Sequence, residues 1–219
     1  MATRLRKPGR LRLAKQKRAA RNAEKYIVEH YFPRQLEARV RKQLPELDDL
    51  GWLRVERGLR EWFVCCAWRG EAMLGMPSRA VDEAWHEYIL DSRSYVIFCE
   101  NAFGEYLHHS PDEVIEAPMA NLIANTVHAW DRSQMGQSGE SVLWDFDREL
   151  GIERPFAGAS GVQLSAARSR IPTPFGSPMI GCGGGGSAYG VGEAAPDVGG
   201  GDGGGGGGCG GGCGGGGGG

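Results

Sequence analysis

The chain is 219 residues long, and 25 of its 37 glycines fall between Gly181 and Gly219. Residues 1–43 hold 14 Lys/Arg against 3 Asp/Glu, while the rest of the chain holds 11 against 24, so a net charge of −2 hides a basic head and an acidic body. The glycines have no period of three, which excludes a collagen, and no uncharged apolar run reaches 18 residues, which excludes a membrane span.

The head carries ten Lys/Arg in its first 25 residues and no acid before Glu24. Charges interrupt every candidate for the apolar core of a secretory signal, and the absence of serine sets the segment apart from a mitochondrial transit peptide. Cys65 and Cys66 are adjacent in an apolar helical stretch and Cys99 sits in another, a usage that fits a reducing compartment rather than a disulfide framework. The expected location is the cytoplasm. The charge of residues 1–25 predicts weak, nonspecific attraction to polyanions.

Helical periodicity then runs through the body. Ala19, Ala23, Tyr26, Ile27 and His30 form a first stripe, ended by Pro33; Leu36, Val40 and Leu44 form a second. Asp48 or Asp49 caps a third helix with Trp52, Val55, Leu59, Trp62, Phe63 and Cys66 on its inner face, stopped at Gly70. Ser78 caps a fourth helix through Leu90, and Asp91 or Ser92 starts a fifth that ends at Gly104. Ser110-Pro111-Asp112-Glu113 reads as a capping box with proline in the first turn. After Pro118, Met119, Leu122, Ile123, Thr126, Val127 and Trp130 make a further stripe; Gln134 to Gly139 reads as a loop and Ser141 to Leu150 as a last helix. His128 falls off the stripe and should be exposed, and Asp145, Asp147 and Glu149 should form a solvated acidic face.

No stretch alternates with the period of a strand. The expected fold is all-α: one bundle of five to seven helices with a disordered glycine-rich tail. The expected divisions are a basic arm over 1–19, a helical domain over 20–155, a Pro/Gly linker over 156–180 and the tail over 181–219. Cys182, Cys209 and Cys213 lie in that tail, where ordering them around a soft metal would cost conformational entropy.

The most informative stretch runs from Val81 to Pro111. It contains V-D-x-x-W-H-x-x-I-L (81–90), S-Y-x-x-F-C (94–99) and F-G-x-x-L-H-H-x-P (103–111). Over these residues the chain resembles the glycine-rich domain-containing proteins of plants and bacteria, and its glycine-rich end matches them in style. It departs from plant-like members at Tyr88, where they often carry a second histidine. The resemblance implies no defined chemical activity. Plant members are linked to development and stress, and some bear RNA-recognition domains that this chain lacks.

The residues of the motif suggest chemistry of their own. At about 100° per residue, Val81, Ala84, Trp85, Tyr88 and Ile89 share an apolar face, with Asp82 and His86 one turn apart on its shoulder. A carboxylate so placed orients an imidazole from outside the coordination sphere. If the next helix folds back, His86, Cys99, His108 and His109 converge as ligands for zinc or another transition metal, with Trp85, Tyr95, Phe98 and Gly104 as the frame. The spacing His86-x12-Cys99-x8-His108-His109 is not that of a zinc finger. The competing account holds His86 on Asp82 or a carbonyl and uses Cys99 as core volume; nucleophilic catalysis by Cys99 with His86 ranks below both, because a thiol in an apolar stripe lacks cationic neighbours. Two functions follow. One is a noncatalytic helical interaction module that meets a protein partner. The other is a metalloprotein, with enzymatic activity left open; nonspecific nucleic-acid binding by the head ranks third.

Overall fold

The computed structural model describes residues 9–110, 118–144, 146–152, 156, 161–172 and 180–181, all within one compact unit, Met1–Ala188. The capping box after Ser110, Asp145 and the cysteines of the tail lie outside the described residues.

The fold is an all-α bundle. Six helices of ten or more residues carry it: α1 (Arg10–Glu29), α2 (Arg34–Gln43), α3 (Asp49–Trp68), α4 (Arg79–Leu90), α5 (Ser92–Phe103) and α6 (Met119–Arg132). Three shorter ones follow, α7 (Gln134–Ser138), α8 (Phe146–Glu149) and α9 (Gly161–Ser169). A two-residue parallel bridge pairs β1 (His109–Ser110) with β2 (Ile180–Gly181). Among the described residues, no helix is long and apolar enough to cross a membrane.

Helix α3 is the centre, packed on α1, α4 and α6. Val55, Leu59, Trp62, Phe63, Val64, Cys65 and Cys66 are fully buried, so this helix is apolar around most of its circumference. Asp48 starts it by accepting from the Gly51 N–H at 2.6 Å. At Gly58 the helices come close enough that an added Cβ would lie 2.6 Å from Val81 Cγ2 of α4. Ser78 caps α4 through the Val81 N–H, and Gly104, at φ +74°, ends α5 in the left-handed conformation that favours glycine.

Three buried carboxylates tie distant parts of the chain together. Glu24 of α1 accepts from Trp68 Nε1 (2.8 Å) and from the N–H groups of Gln134 and Met135 (3.1 and 2.8 Å). Glu61 of α3 accepts from the Ser141 hydroxyl (2.7 Å), the Val142 N–H (2.9 Å) and Arg57 Nε (2.8 Å); burial pushes its carboxyl above the usual range, against the pull of those donors. Asp147 accepts from the Ser78 hydroxyl (2.7 Å) and from the N–H groups of Arg79, Ala80 and Phe156 (2.7, 3.2 and 3.0 Å). Each satisfies amide donors that a helix start or turn leaves without a partner.

The structure departs from expectation in several places. Asp147 is buried, because its partners at the start of α4 replace water, whereas Glu149, paired with Arg54, is exposed as expected. The stretch Gln134 to Gly139 holds a capped helical turn, α7, with the Ser133 hydroxyl accepting from the Gly136 N–H. The helix read from Ser141 begins only at Phe146, after a turn held by Glu61. The stretch read as a linker contains α9, which packs on α6: Ala167 is buried and Arg168 forms a two-pronged pair with Asp131. His128 meets the same segment, its Nε2 donating to the Arg170 carbonyl at 2.7 Å. The first ten residues of α1, read as an arm, are helical, and none of them is buried.

Candidate metal centre

Helix α4 presents Asp82 in its first turn and His86 one turn later. The chain then reverses through α5, and Gly104 releases it into the extended segment that carries His109. A hydrogen-bonded strut fixes this segment from beneath. The Tyr95 hydroxyl accepts from Trp85 Nε1 at 3.0 Å and donates to the Leu107 carbonyl at 2.7 Å. Both rings are fully buried, and burial pushes the Tyr95 phenol far above its ordinary value, so it stays protonated and able to donate.

His109 lands on this platform. Its ring lies 4.7 Å from the Trp85 ring and 4.1 Å from that of His86, centroid to centroid. Asp82 lies between the two: Oδ1 is 3.3 Å from His109 Nε2 and Oδ2 is 3.5 Å from His86 Nδ1. One ligand atom from each of the three residues falls within 4.8 Å of the other two. A divalent ion with bonds of about 2.0–2.2 Å holds neighbouring donors roughly 3–3.5 Å apart, and the two Asp82–imidazole contacts already have that spacing. Asp82 and His109 side chains are 9% and 15% exposed and His86 is 45% exposed, so the cluster is walled on the protein side and open at His86.

Of the four ligands expected from the sequence, His86 and His109 come together and Cys99 and His108 do not join them. Cys99 faces the inner side of α5, where burial raises its thiol pKa against the hydrogen-bonding pull of the Leu107 backbone and the Tyr95 hydroxyl. It fills the aromatic core rather than the rim. His108 precedes His109 in extended backbone, where successive side chains alternate; it is exposed, with its ring 4.8 Å from Tyr106. Asp82, expected only to orient His86, reaches both imidazoles.

The departure at Tyr88 bears on a different place. Position 88 lies about 200° around the helix from position 86. Its hydroxyl is 3.1 Å from His30 Nε2, in a cluster with Phe32 and Phe98. Burial, helped by the positive charge of Arg60, lowers the His30 pKa to about 4. His30 and Tyr88 are 58 residues apart, too far for any local pattern in the sequence to pair them.

Comparison with known proteins gives one family. No curated protein and no solved structure matches the chain. A family model described as UCP032817-like matches residues 22–134. That span takes in α2 to α6 whole, with Asp82, His86, His109 and the Trp85–Tyr95 strut inside it. Since it covers more than half of the chain, the protein belongs to the UCP032817-like family.

Proposed function

We propose that this protein binds a divalent transition-metal ion, zinc foremost, through Asp82, His86 and His109. The observation that carries the reading is the convergence of two imidazoles and one carboxylate within 4.8 Å on a rigid, tryptophan-backed platform. Two nitrogen donors and one oxygen suit zinc or iron(II). Structural zinc sites are closed by four protein ligands, whereas three ligands leave a position for water or substrate. The exposure of His86 gives that position a route to solvent. The ion there would act as a Lewis acid.

In this reading the stretch that resembles glycine-rich domain-containing proteins is the signature of the centre and its frame, and the buried cysteines fit a cytoplasmic protein. A second reading, a noncatalytic interaction module, draws on the apolar side chains left exposed along α4 and α5: Leu90, Val96 and Ile97.

Zinc titration calorimetry on chelator-treated protein separates the two. Cys182, Cys209 and Cys213 are first replaced by serine, so that tail thiols cannot contribute. One equivalent should bind, His86→Ala and His109→Ala should each weaken binding at least tenfold, and Cys99→Ala should leave it unchanged. Absence of stoichiometric binding to the folded parent would leave the interaction module as the standing account.

A further inference from the structure

We propose that the outward face of α1 binds the phosphate backbone of duplex DNA without regard to base sequence. The inference is independent of the metal centre. Helix α1 buries Ala20, Ala23, Glu24 and Ile27 against the bundle. Its first half does not: residues 10–15 and 17–19 are all exposed and Gln16 is half-buried, so about 15 Å of helix stands clear of the core. Taking Arg10 as zero and 100° per residue, Lys15, Lys17 and Arg18 lie near 140°, 340° and 80°, and Arg21 and Lys25 continue the outward side near 20° and 60°.

Among the described residues, none of Arg10, Lys15, Lys17, Arg18, Arg21 or Lys25 is paired with a carboxylate; Arg12 alone is held, by Glu71. Six unneutralised cations therefore spread over a wide arc of one helix. Glu24, the first acid in the chain, is buried and occupied by Trp68 and α7. A helix about 10–12 Å across matches the B-form major groove, about 12 Å wide, and cations on more than one side of it can reach both phosphate walls. The narrow major groove of A-form RNA admits no such element.

An anionic membrane fits the helix poorly. Interfacial helices need a continuous apolar face, and the apolar face of α1 is already used by the bundle. The two exposed leucines, Leu11 and Leu13, are 200° apart. No aromatic ring is present between Arg10 and Lys25 to read or stack on bases. The acidic remainder of the chain, 24 Asp/Glu against 11 Lys/Arg beyond residue 43, repels DNA and leaves α1 as the contacting edge.

Fluorescence anisotropy with two unrelated 20-base-pair DNA duplexes tests the proposal on the full chain. Both should bind equally, and affinity should fall on the order of 10²–10³-fold between 50 and 200 mM salt, as for about five phosphate contacts. The variant R10Q/K15Q/K17Q/R18Q, all at exposed positions and with the parent circular dichroism spectrum, should flatten the slope of log affinity against log salt by about 3.6. Three outcomes would overturn the idea. They are no binding at 50 mM salt, a parent-like slope in this variant with loss only on neutralising Arg4, Arg6 and Lys7, and tighter association with anionic phospholipid vesicles than with either duplex.

Discussion

Replacing Asp147 by asparagine should cost this protein a large part of its stability. The side chain is 4% exposed. Oδ1 accepts from the Ser78 hydroxyl and the Ala80 N–H, and Oδ2 from the N–H groups of Arg79 and Phe156. An asparagine keeps one oxygen. In its better orientation the amide oxygen stays on Ser78 and Ala80, and the NH2 then faces two N–H donors. Two charge-assisted hydrogen bonds from part-buried N–H donors disappear, at about 1.5–3 kcal/mol each. The total is about 3–6 kcal/mol, against a stability of roughly 5–15 kcal/mol for a domain. Urea denaturation followed by tryptophan fluorescence reads this directly, and the melting temperature should drop by about 10 °C or more. Glu149→Gln, at the exposed Arg54 pair, is the control and should move stability by less than about 1 kcal/mol. A loss below about 1 kcal/mol in Asp147→Asn would refute the assignment of Asp147 as the buried anchor of α4.

Three further expectations follow from packing and protonation. Tyr95→Phe strands Trp85 Nε1 and the Leu107 carbonyl; it should lower stability by about 2–3 kcal/mol and, by loosening the segment that carries His109, weaken zinc binding about tenfold in calorimetry. Gly58→Ala drives a methyl against Val81 Cγ2, so the gain of about 1 kcal/mol in helix propensity should be overturned, with a net loss of about 1–3 kcal/mol; adding Val81→Ala should recover part of it in a double-mutant cycle. The His30 imidazole, with a pKa near 4 in the fold against about 6.5 when unfolded, takes up its proton more readily in the unfolded chain. Its contribution to stability is therefore complete above pH 6.5 and is lost progressively as pH falls towards 4. An NMR titration that placed the His30 midpoint near 6.5 would remove the basis for this, and His30→Gln should flatten the acid limb of the stability curve.

Local signals in the sequence located most of the scaffold. Asp48, Ser78, Gly70 and Gly104 mark helix ends because capping is decided within three or four residues. The stripe on α6 and the aromatic face of α3 follow from periodicity alone. The motif also supplied two of the three prospective ligands, since His86 rides on a helix shoulder and His109 follows a helix stop. What escaped depends on partners far away in the chain. Asp147 looks like any surface acid until Ser78, 69 residues distant, is brought beside it. Cys99 shares a helical stripe with Tyr95 and Phe98, and the sequence does not say whether that stripe meets the rim or the core. Helix α9 is short and is sited by Leu164, Ala167 and the Arg168–Asp131 pair, none of which announces itself in a proline- and glycine-rich context.

The three buried carboxylates also set a timetable for synthesis. Glu24 leaves the ribosome early, but two of its three donors belong to residues 134 and 135, made 110 and 111 positions later. Glu61 waits 80 residues for Ser141, and Asp147 closes on a cap assembled 69 residues before it. An N-terminal fragment that ends before α7 would have to bury Glu24 with its charge half-compensated or leave α1 undocked, and the second costs less. The bundle thus cannot be completed from its N-terminus in instalments. A nascent chain should therefore keep α1 away from α3, with the apolar faces of both uncovered, until Gln134 and Met135, at the end of the family-matched region and one residue past it, have emerged, an interval in which exposed apolar surface favours aggregation or chaperone capture.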